Sequence, residues 1–186
     1  VVVVNAVPVN CYDSLAWGNK VSPEFRQKLI RICNSFCWSK LHASWLMSCI
    51  AFESGETFAA DVKNAAGSGA VGLIQFMPST AKGLGTSTMA LSKLTPEEQL
   101  DYVAQYFKPY ANKIFSLSDM YMAILLPKYV GKADGSVLFS GGVAYRQNSG
   151  LDKNKDGRIT KAEASEKIQA KLLKGMTEKY RSDWPE

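Results

Sequence analysis

Long hydrophobic runs are missing from this 186-residue chain. The longest clean apolar stretch, Met120 to Leu126, falls far short of the roughly 18 residues a membrane-spanning helix needs, so no span is expected. Histidine is scarce: His42 stands alone, and Cys33 and Cys37 beside one histidine do not make a zinc set. Four cysteines (Cys11, Cys33, Cys37 and Cys49) are too few for a disulfide scaffold. A chain of this size buries about two-thirds of its unfolded surface and folds without a staple. Cys33 and Cys37 share a helix face, where disulfide geometry is poor, so the thiols read as small buried side chains. Neither charge dominates. Lys and Arg number 22 against 17 Asp and Glu, and the net +5 is spread along the chain. No basic run interleaves with aromatics, which argues against nucleic acid and leaves a mildly basic protein suited to an anionic polymer or surface. Repeats and low-complexity linkers are absent, which excludes collagen, coiled coil and general disorder. The opening Val1-Val2-Val3-Val4-Asn5-Ala6-Val7-Pro8 lacks a positive leader and is interrupted by Asn5 and Pro8, so it does not read as a signal peptide.

What is present reads as mostly helical. Ser22-Pro23-Glu24 opens a helix with a capping serine and a proline at its first position. Phe25, Leu29, Ile32 and Phe36 then recur at helical spacing. A second helix is expected from about Ala43 to Ser54, strongly apolar and stopped by Gly55. Residues 55–74 are rich in Gly, Ala, Asn and Ser, and predict an irregular or β-hairpin lobe near 57–75. Pro78 opens a short helix, and Thr95-Pro96-Glu97-Glu98 forms a capping box for another. Asp119 is expected to cap an apolar helix that Pro127 ends. The last helix is expected from about Lys161 to Met176.

The chemistry concentrates in Ala51-Phe52-Glu53-Ser54-Gly55 and in Gly69-Ala70-Val71-Gly72-Leu73-Ile74-Gln75-Phe76-Met77-Pro78-Ser79-Thr80-Ala81. Glu53 closes an apolar helix beside Ile50 and Phe52. Desolvation there disfavours the carboxylate and raises its pKa. An acid still protonated near neutral pH can hand its proton to a leaving oxygen. The plain alternative is a surface glutamate at a helix end. The glycine-rich segment and Gln75 offer close backbone approach and an amide to a polar substrate.

In order, these motifs resemble the soluble lytic transglycosylase and goose-type lysozyme family over about residues 22–130. The resemblance implies a mostly α (α+β) lysozyme-like fold and cleavage of the β-1,4 bond between N-acetylmuramic acid and N-acetylglucosamine in peptidoglycan. It makes Glu53 the catalytic acid and places Gly72, Leu73, Gln75 and Met77 in the substrate cleft. Two departures stand out. Gln75 follows Glu53 by 22 residues, which expands the intervening loop. The family's Ala-Ala-Tyr-Asn-Ala-Gly motif has as its nearest counterpart Leu126-Pro127-Lys128-Tyr129-Val130-Gly131, which makes Tyr129 the counterpart of the motif's tyrosine. Such divergence resembles small phage lysozymes. It implies an endolysin or virion lysin acting on the bacterial wall in the periplasm, made in the host cytoplasm or carried in a virion.

A twelve-residue segment near the C-terminus, Asp152 to Glu163, matches an EF-hand calcium loop. Asp152, Asn154 and Asp156 supply side-chain oxygens, Gly157 the sharp turn, Arg158 its carbonyl, Thr160 a position often bridged by water, and Glu163 a bidentate carboxylate. A turn at Ser149-Gly150 precedes the loop where an entering helix is usual, which points to a structural Ca2+ clip.

Together these features describe one lysozyme-like catalytic domain over 1–186, containing the 152–163 loop. The expected partner is the peptidoglycan glycan strand, with no nucleic acid and a monomeric chain. An inverting hydrolase needs a second carboxylate about 6.5–9.5 Å from the acid to activate water, whereas a lytic transglycosylase needs none. Glu56 and Asp61 are the candidates, and the expanded acidic loop and altered tyrosine motif favour hydrolysis with one of them positioning water. Alternatives are anhydro-forming lytic cleavage, a chitinase-like activity, and a non-catalytic calcium-binding wall module.

Overall fold

A computed structural model of the chain describes residues 2–185; Val1, first of the N-terminal valines, and Glu186 lie outside it. Its helices are α1 (Pro23–Ser35), α2 (Lys40–Glu53), α3 (Pro78–Gly83), α4 (Thr88–Ser92), α5 (Pro96–Phe107), α6 (Leu117–Leu125), α7 (Gly142–Asn148) and α8 (Lys161–Gly175). Two antiparallel ribbons complete it. One pairs β1 (Ser14–Leu15) with β4 (Ser182–Asp183), the other β2 (Val137–Ser140) with β3 (Arg158–Thr160). The mostly α reading holds. The lobe between α2 and α3 is irregular, pinned only by the bridges Lys63 to Val71 and Val71 to Phe76.

Helix α2 organises the molecule. Every residue from Ala43 to Ala51 is buried, because the helix is apolar or small on all sides and α1, α6 and α8 pack around it. It starts at Lys40, three residues earlier than expected. Ser39 and His42 form a reciprocal capping box there, in which the Ser39 N–H donates to His42 Nδ1 at 3.2 Å. The other ring nitrogen meets the Ile114 carbonyl at 2.7 Å, and burial holds the imidazole below its ordinary pKa. The lone histidine is thus a cap and a brace. At the other end Ser54 and Gly55, with φ +61° at the glycine, stop the helix directly after Glu53.

The remaining helix starts follow from their caps. Ser22 accepts the Phe25 N–H, and Thr95 and Glu98 cap α5 reciprocally. In α6 the cap is Ser116, which accepts the Asp119 N–H at 3.1 Å; Asp119 does not take that role. Its carboxylate is instead buried against Lys161 and accepts the N–H groups of Phe115 and Gly131. All four cysteines are free, with Cys11, Cys33 and Cys49 buried and Cys37 exposed. Among the described residues, no helix is long and apolar enough to cross a membrane.

Candidate active site

Glu53 emerges from the core at the end of α2 into a cavity of about 530 Å³. Three parts of the chain wall it. The irregular lobe supplies Asn64, Ser68, Ala70, Ile74, Gln75 and Met77; the end of α6 supplies Ile124 and Leu125; α7 supplies Gln147 and Asn148. Among the described residues lining it, Glu53 is the only carboxylate and no lysine or arginine contributes. Burial pushes the Glu53 carboxyl up to about 7, since desolvation costs the ionised form and no cation or hydrogen-bond donor offsets it. The group therefore keeps its proton near neutrality.

Two tyrosines sit close enough to Glu53 to feel its charge. Tyr121 on α6 and Tyr106 on α5 are both raised well above the ordinary phenol range, chiefly by burial. The Tyr121 ring meets Phe52 edge-on at 5.9 Å, and the Tyr106 hydroxyl donates to the Ala123 carbonyl. Sequence reading passed over Tyr121. The available signal was a hydroxyl-bearing side chain inside the otherwise apolar run Met120 to Leu126.

The glycine-rich motif divides into residues that face the cavity and residues that build it. Gln75 and Met77 line the cavity, and Met77 is 44% exposed. Gln75 adopts φ +56°, and its Nε2 donates to the carbonyls of Val62 and Gly72 at 3.1 and 3.0 Å, so the side chain also braces the loop. Leu73 is fully buried in the core. Gly72 has φ +87°, and a Cβ there would lie 2.3 Å from Gln99 Oε1. Gln99 needs that space. Its buried amide accepts the Leu73 N–H at 2.8 Å and donates to the Ala60 and Leu91 carbonyls at 2.9 Å. Gly72 and Leu73 thus set the shape of the wall from behind.

The remaining candidates lie elsewhere. Glu56 is held by Lys171 and Lys174 of α8, the latter at 2.8 and 2.9 Å, and these cations keep its carboxylate below the ordinary range despite some burial. Asp61 is exposed and outside the cavity lining. Tyr129 donates its hydroxyl to the Val137 carbonyl at 2.9 Å, bridging the segment after α6 to β2, and is also outside the lining.

The 152–163 segment folds as a tight loop leading into α8. Asp152 accepts the N–H groups of Asp156 and Gly157 at 3.2 and 3.0 Å, Asn154 Oδ1 accepts that of Asp156 at 3.0 Å, and Asp156 accepts that of Arg158 at 2.9 Å. Gly157 takes φ +83° at the bend, and Ile159 is fully buried. Thr160 and Glu163 cap α8 reciprocally. Glu163 is raised, first by partial burial and then by the negative charges of Asp156 and Asp152. Among the described residues, no three acidic, histidine or cysteine side chains close into a metal shell.

Residues 37–128 match the family model described as the transglycosylase SLT domain. No curated protein and no solved structure matches the chain. The match spans Glu53, the glycine-rich motif and α6, and the mostly α architecture agrees with a lysozyme-like fold of that domain. It ends before β2, α7 and the 152–163 loop.

Proposed function

From the premise that the chain is a glycosidase acting on peptidoglycan, with a transglycosylase SLT domain at residues 37–128, we infer that it cleaves glycan strands by the lytic route, leaving 1,6-anhydromuramic ends. The observation that carries this reading is the cavity lining, in which Glu53 is the only carboxylate among the described residues. Neutral Glu53 donates its proton to the glycosidic oxygen as the bond to the muramic C1 breaks. The resulting carboxylate then takes the proton of the muramic C6 hydroxyl, whose oxygen closes onto C1. Each proton Glu53 gives is returned, and no water is consumed. Hydrolysis would need a second carboxylate across the sugar, as base for water or as nucleophile. Glu56 is engaged by two lysines, and Asp61 lies outside the lining.

Mass analysis of muropeptides released from purified walls in ¹⁸O-labelled water tests this. The lytic reading expects ends lighter by one water and free of label. Reducing ends carrying ¹⁸O would overturn it in favour of a hydrolytic muramidase.

The 152–163 loop is assigned one structural calcium. Asp152, Asn154, Asp156, the Arg158 carbonyl, Thr160 and Glu163 would hold it. The fit rests on the left-handed Gly157, the buried Ile159 anchor and the gathering of Asp152, Asn154 and Asp156 around one bend. Bound there, the ion would neutralise that gathered charge and fix the entry to α8. Action on the wall and the motif divergence favour a phage lysin as the biological setting.

A further inference from the structure

The cavity around Glu53 is closed on one side by a helix the sequence motifs did not announce. Helix α7 lies beyond the matched domain, yet its Gln147 and Asn148 line the same cavity as Glu53 and Gln75. Three features hold it there. It packs on the β2–β3 ribbon. Gly141 and Gly142, at φ +65° and +72°, make the reversal from β2 into α7, a backbone path closed to most side chains. From the middle of the helix the Tyr145 hydroxyl donates to Asp152 Oδ2 at 2.7 Å, tying α7 to the first residue of the acidic loop. The helix is therefore seated from both sides before any ligand arrives, which lowers the ordering cost of binding.

The amides it presents are available. Among the described residues the Gln147 side chain has no hydrogen-bond partner, and Asn148 uses only its Nδ2, on the Ala144 carbonyl at 2.9 Å. A carboxamide offers one acceptor and a pair of donors. An N-acetyl group offers one carbonyl and one N–H, so the two pair reciprocally. The rest of the lining is uncharged apart from Glu53: Asn64, Ser68 and Gln75 are polar, with Ile74, Met77, Ile124 and Leu125 apolar. That composition suits a neutral acetamido sugar with an apolar methyl and ring face. It offers no cation to an anionic group.

We propose that α7 is a glycan-binding wall of the cleft, with Gln147 and Asn148 as sugar-contacting amides that recognise an N-acetylated hexosamine beside the bond Glu53 cleaves. The proposal rests on the reading of Glu53 as the acid. It adds a binding element from outside the SLT domain.

The test uses the full chain and an N-acetylglucosamine tetramer as probe. Titration is done in a Glu53→Gln background, where turnover is suppressed. Adding Gln147→Ala and Asn148→Ala is expected to weaken the tetramer about tenfold, the effect of losing two modest hydrogen bonds. With Glu53 intact, the same pair should raise KM on walls while kcat stays within about twofold, as expected when ground-state and transition-state binding fall together. Gln147 is exposed and Asn148 half-buried, so the melting temperature should hold. If it falls, Gln147→Glu, which keeps the shape and loses the amide donors, carries the comparison. Unchanged tetramer affinity and unchanged KM would overturn the proposal. A Glu53→Gln variant that still clears walls would instead overturn the acid assignment, while the tetramer affinities would still report on α7.

Discussion

At the scale of single residues, Glu53 shows how position makes an acid. The side chain is ordinary; the helix end that carries it is not. With its pKa raised to about 7, kcat/KM should be high below neutrality and fall as pH rises through that value. Glu53→Gln should lower wall-clearing activity by roughly 10²–10⁴-fold. The same shift has a consequence for stability. The folded carboxyl holds its proton to about 7, the reference carboxyl only to 4.5, so the folded state binds more protons between those values. Stability should therefore fall as pH climbs across that window, by about 2–3 kcal/mol, and the Gln variant should lack this fall. Urea denaturation of both proteins at pH 4.5 and pH 8 measures it. Equal pH dependence of the two would show that Glu53 titrates normally.

At the scale of elements, the 152–163 loop and α8 belong together. Glu163 caps the helix and is also the proposed closing ligand of the loop. Calcium bound only to the folded loop should raise the melting temperature, and a chelator should reverse the rise. Glu163→Gln should keep the capping box, since glutamine serves there as well as glutamate, yet abolish most of the calcium response. No melting shift and no heat on titration would mean the loop binds no calcium. The irregular lobe follows a different logic. It has almost no ladder hydrogen bonds to set its shape, so the buried Gln99 amide, fitted against Gly72, does so from inside.

At the scale of the whole molecule, one buried ion pair joins parts that are remote in sequence. Lys161, the first residue of α8, is 1% exposed and pairs with buried Asp119 of α6. It also donates to the Lys132 carbonyl at 2.7 Å and the Tyr129 carbonyl at 3.2 Å. The pair locks the helix bearing Tyr121, the segment after it and the acidic loop into one arrangement. Lys161→Met would leave Asp119 buried without its cation, and should destabilise by about 3–5 kcal/mol in chemical denaturation. Adding Asp119→Leu should recover only part of that, because Phe115 and Gly131 would lose their acceptor. A loss below about 1 kcal/mol would show that the pair is dispensable.

Whatever depends on neighbours along the chain was legible in residue order. Ser22 with Pro23 and Thr95 with Glu98 start helices through bonds that span three residues. An apolar run ending at Glu53 leaves a surface glutamate and a desolvated acid both open, and it is the family resemblance of the two motifs around Glu53 and Gln75 that points to a peptidoglycan glycosidase. Tertiary structure decided everything that depends on distant partners. Glu56 is three residues from Glu53, yet α8 reaches across with Lys171 and Lys174 to claim it. Asp119 reads as a cap until Lys161, 42 residues on, gives it a buried cation. Tyr129 matches a motif by order, but its hydroxyl goes to β2, while Tyr121 lies close enough to the acid to feel its charge. Gln147 and Asn148 carry no motif, and pairing of β2 with β3 brings them to the cleft. Local bonds are written in residue spacing, whereas the partner of a buried charge or a cleft wall is chosen by packing, which spacing does not encode.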